Sequence, residues 1–162
     1  MLAYEPISKP FTTIREHQRS YPVDVEKLAK SFGIVVIQKD WPETFVGAIG
    51  KDATGYFIIV NQNISMIRQR FTVAHEIGHY VLHKNQIGPT GIKDDWMYRS
   101  ALNIAEEAAA TKLALAILLP INLMGLAAID KGLRLTPKDL PALAEALGVS
   151  DTAMAKRLGL PV

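Results

Sequence analysis

The sequence predicts an α+β fold, in which a few strands near the start of the chain are followed by a helical majority. Two observations support this class. Short β-branched runs separated by turn residues occupy residues 34–60. From residue 65 onward, apolar residues recur at steps of three and four, which is the spacing typical of helices. The chain has 162 residues, so one domain spanning 1–162 is expected.

The first third of the chain contains the predicted strands. Residues 1–20 show no clear period and are expected to form an irregular arm. The stretch "VDVEKLAKSFG" predicts a short helix, with Asp24 at the N-cap and Gly33 just past the end. "IVVIQ" predicts a strand. Two further strands are expected at Thr44–Ile49 and Tyr56–Val60, joined as a hairpin.

The rest of the chain is predicted to be helical. A helix of about five turns is expected from Ser65, followed by a loop over Lys84–Arg99 that contains glycine and proline. A second long helix is expected at Ala101–Leu119, because Pro120 ends it. Residues 121–162 form a predicted helical C-terminal subdomain, with helices around Asn122–Ile129, Lys138–Leu147 and Asp151–Leu158.

Composition limits the class of protein. Apolar residues make up 49% and charged residues 21%, which is typical of a globular chain. The absence of cysteine excludes disulfides, thiolate metal sites and a cysteine nucleophile. Neither a secretory signal nor a membrane span is expected, because the long apolar helix carries several charged residues. A net charge of +2 is too small to indicate a nucleic-acid partner, so a cytoplasmic, soluble protein is expected.

The segment "RFTVAHEIGHYVLH" contains three of the four histidines, each four residues from the next. Within it, His75 to His79 form an H-E-x-x-H pattern. Residues four apart lie on one face of a helix, so these two histidines can reach one metal ion. Glu76 lies beside them, where it can accept a proton from a water molecule that a metal has made more acidic. A metal site with Glu76 as the general base is therefore predicted, rather than an ordinary polar helix face.

Two other residues of this helix lead to separate expectations. The Cα of His83 lies about 12 Å along the helix axis from that of His75, whereas metal–nitrogen bonds are about 2 Å. His83 is therefore expected to be structural or to support the ligands from outside. Gly78 costs about 1 kcal/mol relative to alanine in the middle of a helix, which indicates close approach by another group.

A catalytic zinc usually has three protein ligands, and without cysteine the third is a carboxylate or a histidine. The helix at Ala101–Leu119 is apolar on nearly all sides but carries the adjacent Glu106 and Glu107. A buried carboxylate needs a cation or another partner. Glu107 shares a face with Ala110 and Ala114, small residues that could approach the first helix, whereas Glu106 points about 100° away. The alternative is an exposed helix start, where both acids simply favour the N-terminal dipole.

These motifs resemble those of a known family. "RQRFTVAHEIGHYVLH", followed after a loop by "EEAAATKLALAILLP", is similar to the ImmA/IrrE family of zinc-dependent metallo-endopeptidases. The family's second helix reads E-x-x-A-x-x-F-A-x-x-L-L-x-P, and the chain matches it at Glu107, Ala110, Ala114, Leu118 and Pro120. The chain departs from the common residues at Thr111 (often asparagine), Leu113 (often aromatic) and Ile117 (often leucine).

The resemblance has implications for the site and the fold. It implies that His75 and His79 bind zinc, that Glu107 is the third ligand and that Glu76 is the general base. It also implies a zincin-like fold, with a small three-stranded twisted sheet packed on the H-E-x-x-H helix and a second long helix. An edge strand could bind an extended substrate by strand addition. The expected edge gives the candidate substrate-binding residues Tyr56, Phe57, Ile58, Ile59 and Val60.

The oxyanion-stabilising residue stays open. Tyr80, His83, Tyr98 and Arg99 are all candidates, of which Tyr98 in the loop is favoured. The resemblance further implies a protein substrate, a helix-turn-helix transcriptional repressor whose cleavage would regulate gene expression.

The C-terminal segments "ALGVS" and "MAKRLGL" resemble the turn and second helix of a helix-turn-helix. A DNA-reading helix carries Arg, Asn, Gln or Lys near its exposed start, but Asp151, Thr152 and Ala153 stand there instead. A packing or partner-docking role is therefore favoured over direct DNA binding. Two alternatives to a peptidase are a non-proteolytic metal-containing regulator, such as a toxin–antitoxin component, and a DNA-binding module acting through these helices.

Overall fold

A computed structural model describes residues 8–88 and 104–162. The elements in chain order are α1 (Lys9–Glu16), α2 (Val25–Ser31), β1 (Val35–Lys39), β2 (Gly47–Asp52), β3 (Gly55–Asn61), α3 (Met66–His83), α4 (Ile104–Leu118), α5 (Ile121–Lys131), α6 (Leu140–Leu147) and α7 (Asp151–Leu158). A single 3₁₀ turn, Lys84–Gln86, directly follows α3. This architecture confirms the α+β class and the helical C-terminal region.

The N-terminal segment differs from its prediction. Residues 9–16 form α1, so the expectation of an irregular arm is wrong for this part of the chain. Pro10 occupies the first turn of the helix, where its missing N–H is tolerated. Ile14 is its one buried residue, which is too few apolar positions to reveal a period in the sequence. The side chain of Gln18 then donates hydrogen bonds of 2.8 and 3.0 Å to the carbonyls of Ala116 and Ile117.

The three strands form a mixed sheet in the order β1–β3–β2. β1 runs parallel to β3, with Val35 opposite Phe57, and β2 runs antiparallel to it, with Ile49 opposite Ile58. The expectation that Tyr56–Val60 forms the edge is therefore wrong, because these residues belong to the central strand. Their buried, β-branched sequence is what a strand paired on both sides requires.

Helix α3 crosses the middle of the fold and packs along α4. It begins after Ser65, whose side chain accepts a hydrogen bond from the N–H of Arg68. Residues 72–79 are all buried, so neighbours surround this part of the helix. A Cβ added to Gly78 would lie 2.8 Å from the carbonyl oxygen of Ala110 and 3.2 Å from its Cα. The close approach that Gly78 predicts is confirmed, and the backbone of α4 is the group that approaches it.

The C-terminal helices are attached to α3 through the half-buried Arg70. The Nε of Arg70 donates to the carbonyl of Gly148 at 3.0 Å, and its Nη1 donates to the carbonyl of Val23 at 2.9 Å. Burial lowers the pKa of Arg70, and the nearby carboxylate of Asp24 opposes that shift. Gly148, which follows α6, has a φ of 67° that favours glycine. Arg70 thus joins the tail, α3 and the segment before α2.

No single helix within residues 8–88 and 104–162 has the length and apolar character needed to cross a membrane. α4 and α5 meet that test only as a pair, bent by 40° at the break between them.

Candidate metal centre

Three side chains bring potential metal-binding atoms together where α3 crosses α4. The Nε2 atoms of His75 and His79 lie 3.1 Å apart. Glu107 places its Oε2 3.1 Å from the Nε2 of His75 and its Oε1 3.3 Å from the Nε2 of His79. One ligand atom from each residue lies within 4.8 Å of the others, so the three side chains could hold a single ion.

The donor set and its dimensions fit zinc. Bonds of about 2.0–2.1 Å in a tetrahedral arrangement place neighbouring donor atoms about 3.3 Å apart, close to the separations between these imidazole and carboxylate atoms. Two imidazoles and one carboxylate are also a ligand set found in catalytic zinc sites. When both imidazoles are neutral and bear their protons on Nδ1, the facing Nε2 lone pairs repel each other. A cation between them removes this repulsion.

The helix positions explain why these residues converge. His75 and His79 are one turn apart, so both imidazoles project from the same face of α3. The contact between Gly78 and Ala110 holds the backbones of α3 and α4 close together on that side. Glu107 precedes Ala110 by three residues, so it lies on the face of α4 that meets α3.

Glu76 is completely buried in the middle of α3, directly after His75. A carboxylate in such a place interacts more strongly with a nearby charge than it would in water, because the surroundings screen it less. Its position in the chain, next to one metal-binding candidate and three residues before the other, suits a group that moves a proton beside a metal.

Each imidazole also has a neighbour at its outer nitrogen. The Nδ1 of His79 lies 3.0 Å from the Nδ1 of His83, and the Nδ1 of His75 lies 3.4 Å from the hydroxyl of Thr111. A histidine that binds a metal through Nε2 carries its proton on Nδ1 and donates it to such a neighbour. His83 would then accept this hydrogen bond through its own Nδ1. Such outer bonds fix the tautomer and the orientation of each ring.

Exposure changes across the cluster. The side chain of His79 is 0% exposed and that of His75 is 8% exposed, whereas that of Glu107 is 36% exposed. The cluster is therefore open to solvent from the Glu107 side and closed beneath α3. Among the three side chains, Glu107 is therefore the most accessible to an approaching ligand.

The two adjacent glutamates of α4 have different surroundings. Glu107 faces the two histidines. Glu106 accepts a hydrogen bond of 2.9 Å from the side chain of Gln86, at the exposed turn that follows α3. The side chains of Glu107 and Glu106 thus point in different directions, as the rotation of about 100° per residue predicts.

The other candidates for the oxyanion role divide into two groups. Tyr98 and Arg99 lie outside the described residues. Tyr80 donates its hydroxyl to the carbonyl of Phe32 at 3.4 Å and accepts a hydrogen bond from Lys84 at 3.2 Å. Its ring also packs edge-on against Tyr56, with the centroids 5.0 Å apart. These contacts direct the Tyr80 hydroxyl toward the segment after α2.

Two contacts of His75 could not be assigned from the sequence. Thr111 reaches its outer nitrogen, and Phe71 lies with its ring nearly parallel to the imidazole, 6.2 Å between centroids. The sequence signal that could have identified them is their spacing from the metal-binding candidates. Phe71 precedes His75 by four residues and Thr111 follows Glu107 by four, so each lies one turn from a metal-binding candidate.

Two comparisons relate the chain to a protein family and to a solved fold. The family model described as the IrrE N-terminal-like domain, a peptidase family, matches residues 29–159. Among solved structures, the chain is similar to a Mycobacterium tuberculosis transcriptional regulator, with a TM-score of 0.59 and 19% sequence identity. The alignment covers 93% of this chain and 46% of the regulator. The chain therefore spans about half of that protein, and at this identity the likeness shows the fold alone. No protein of curated function matches the sequence.

Proposed function

The chain belongs to the IrrE N-terminal-like domain family of peptidases, and from this premise we propose that it is a zinc-dependent endopeptidase. The observation that carries the proposal is the cluster of His75, His79 and Glu107, whose facing donor atoms are 3.1–3.3 Å apart. A set of three protein ligands leaves a coordination position for water or substrate, as catalytic zinc sites do and closed structural sites do not.

Bound zinc would make a water molecule more acidic and would polarise the carbonyl of the scissile peptide. Glu76 is the general base in this proposal. Its carboxylate accepts the proton of the attacking water and then delivers it to the nitrogen of the leaving amine. His83 and Thr111 keep the two imidazoles in the orientation that this reaction needs.

The protein substrate that we propose is a helix-turn-helix transcriptional repressor, and a cytoplasmic location follows from such a substrate. The similar Mycobacterium tuberculosis protein is described as a transcriptional regulator, which suits a role in gene regulation. Direct DNA binding by this chain is not part of the proposal, because the first turn of α7 carries Asp151 and Thr152 where a DNA-reading helix carries amide or basic side chains.

The substrate backbone is expected to pair with β2 rather than with β3. β2 is an outer strand of the described sheet, and strand addition needs an outer strand. Its first residue, Gly47, is so close to α3 that a Cβ there would collide with the side chain of Thr72. A peptide lying along β2 would therefore pass the helix that carries the two histidines. In this proposal the neighbouring strand β3 supports β2, through Tyr56, Phe57, Ile58, Ile59 and Val60.

The variant Glu76→Gln tests the proposed reaction. It removes the base but leaves the three proposed ligands, so it should retain about one zinc per chain and lose cleavage. Zinc is measured by mass spectrometry of the purified protein. Cleavage is measured on a helix-turn-helix repressor, where a neighbouring reading frame encodes one, and on a peptide library prepared from a cell extract. The variant His75→Ala, which removes a ligand, is the matched control and should lose both zinc and cleavage.

Three outcomes would contradict this proposal in different ways. Cleavage by Glu76→Gln at the wild-type rate would exclude the proposed base. A zinc-loaded wild-type protein that binds the repressor without cutting any substrate would favour a non-proteolytic regulator. Salt-dependent binding to duplex DNA without cleavage would favour a DNA-binding module acting through the tail.

A further inference from the structure

An apolar cavity of about 260 Å³ adjoins the candidate metal centre. Val46, Ile67, Phe71 and Leu115 supply apolar walls on one side, and Ala153 of α7 supplies the opposite wall. The cavity therefore lies between α3, α4 and the C-terminal tail. A volume below the roughly 300–1,000 Å³ of small-molecule sites suits one amino-acid side chain.

The cavity lies one helical turn from His75, one of the proposed ligands. Phe71, one of its walls, has its ring nearly parallel to the imidazole of His75, 6.2 Å between centroids. Leu115, another wall, follows Thr111 by four residues, and the hydroxyl of Thr111 is 3.4 Å from the Nδ1 of His75. One helical turn is about 5.4 Å, whereas an extended peptide advances about 3.3 Å per residue. A side chain one or two residues from the scissile bond can therefore reach the cavity.

The cavity also lies next to the outer strand proposed to bind substrate. Val46, which lines it, directly precedes β2. Thr72 also lines the cavity, and its side chain is the first group that a Cβ at Gly47 would meet. A peptide paired with β2 would thus pass over the cavity opening as it leaves the strand.

The charged residues that line the cavity, among those that the structure describes, are of one sign. Arg68 of α3 and Lys156 of α7 line it, and both side chains are exposed. Within residues 8–88 and 104–162, no acidic residue lines the cavity. Asp151 begins α7 nearby but is not part of the lining. An apolar cavity with two cations favours an apolar side chain whose neighbour in the substrate is acidic.

We infer that this cavity is a specificity subsite that binds an apolar side chain, such as leucine, next to an aspartate or glutamate in the polypeptide substrate. This inference rests on the proposed function for the identity of the ligand. It assigns a role to the C-terminal tail: α7 forms one wall of the subsite and places Lys156 where it selects the acidic neighbour.

Binding is measured separately from cleavage with the zinc-loaded Glu76→Gln protein. The probes are four blocked hexapeptides with Leu-Asp, Leu-Lys, Ala-Asp or Ala-Lys between glycines, followed by two-dimensional NMR of the backbone amides. Leu-Asp should bind most tightly and shift the amides of Phe71, Thr72 and Ala153. Replacing leucine by alanine should weaken binding about tenfold, because alanine buries less apolar surface in the cavity. Lys156→Glu should reduce the preference for aspartate over lysine by about two- to fivefold, as for an exposed charge pair.

Two variants make this test specific. Lys138→Glu makes the same charge change at an exposed position before α6 and should leave peptide preference unchanged. Ala153→Leu should fill the cavity and reduce leucine binding. Because Ala153 is buried, the thermal unfolding of the Ala153→Leu protein is measured in parallel. If Ala153→Leu does not fold, Lys156→Glu decides the test. Shifts that map elsewhere, or equal effects of Lys156→Glu and Lys138→Glu, would overturn the inference.

The cleavage experiment distinguishes this inference from the proposed function. Cleavage of the peptide library without enrichment of an apolar residue beside an acidic one near the cut bond would overturn the subsite. The proposed peptidase activity would still be supported. Selective binding of Leu-Asp at the cavity, together with no cleavage by the zinc-loaded wild type, would support the subsite and overturn the peptidase.

Discussion

Helices α3 and α4 pack against each other, but they place their polar residues in opposite ways. α3 buries Thr72, His75, Glu76 and His79 in the middle of the protein. α4 is apolar along most of its length, and its two carboxylates lie in the first turn, before its buried part begins at Ala110. A helix that buries several polar groups has partners for them, and here a carboxylate of α4 is one of those partners.

The difference shows how the site is assembled. The polar groups of α3 would be costly to bury alone, and Glu107 would be an ordinary exposed acid without α3. Their meeting point lies at the boundary between the buried part of α4 and its exposed start. Four sets of variants test this division of roles between the two helices.

The largest effect is expected from the two neighbouring glutamates of α4. Glu107→Ala removes a proposed ligand, whereas Glu106→Ala removes a side chain bonded to Gln86 at the surface. The first should lower zinc affinity by at least about a hundredfold, beyond the roughly 10–100-fold effect of losing an outer hydrogen-bond partner. The second should change affinity little. Competition with a zinc chelator measures both.

Tighter zinc binding by Glu107→Ala than by Glu106→Ala would mean that the polar face of α4 has been assigned one residue out of place. Equal losses would mean that the two carboxylates act together.

The second pair tests the close contact of the two helices. In Gly78→Ala the new Cβ would meet the backbone of Ala110 at 2.8 and 3.2 Å, and backbone atoms cannot move aside cheaply. The helices should separate, with a loss of stability of about 1–3 kcal/mol and weaker zinc binding. Gly125→Ala in α5 is the control, because a Cβ there meets nothing within 4 Å. It should gain up to about 1 kcal/mol from helix propensity. Thermal unfolding of the metal-free proteins gives both values.

A Gly78→Ala protein that is more stable and binds zinc as tightly as the wild type would contradict this prediction. It would show that the close approach of α3 and α4 does not require glycine at this position.

Much of this arrangement could be predicted from local sequence pattern. The spacing of His75 and His79 indicated a shared face, and Gly78 indicated the close approach that Ala110 makes. The alanine face of α4 indicated which of its two carboxylates would turn toward α3. These features depend on helix periodicity and on the cost of glycine inside a helix, so they can be recognised without knowledge of the rest of the fold.

The strand order could not be predicted in the same way. A buried β-branched run such as that in β3 indicates a strand but not its neighbours. β1 and β3 are parallel and separated in the chain by β2, so their pairing depends on contacts distant in sequence. The expectation of an edge at Tyr56–Val60 failed for this reason. The short helix α1 was also missed, because it buries only Ile14 and is held by hydrogen bonds from Gln18 to the end of α4.

A third set of variants tests whether His83, which is also in α3, orients the imidazole of His79. The Nδ1 atoms of His83 and His79 are 3.0 Å apart, so His83→Ala removes the group that receives the proton of His79. The variant should still contain one zinc per chain, with affinity lowered about tenfold. His83→Gln, which retains an acceptor, should recover part of the loss. The absorption spectrum of the cobalt-substituted protein should shift in His83→Ala, because the ring of His79 is no longer fixed. A complete loss of zinc would make His83 a ligand, contrary to the distance along the helix.

The smallest effect is expected from the corresponding contact made by α4. Thr111 lies 3.4 Å from the Nδ1 of His75, a longer separation than that between His79 and His83. Thr111→Val keeps the shape of the side chain and removes the hydroxyl, so zinc affinity should fall by only about two- to fivefold, the equivalent of a weak hydrogen bond of about 0.5–1 kcal/mol. Phe71, whose ring lies alongside His75, should keep that imidazole close to its present orientation. Zinc competition on the single and double variants with His83→Ala measures whether the two effects add, as they should for contacts at different histidines. A larger loss of zinc affinity from Thr111→Val than from His83→Ala would contradict this prediction. In that case α4 would contribute both a ligand and the more important outer hydrogen bond of the metal centre.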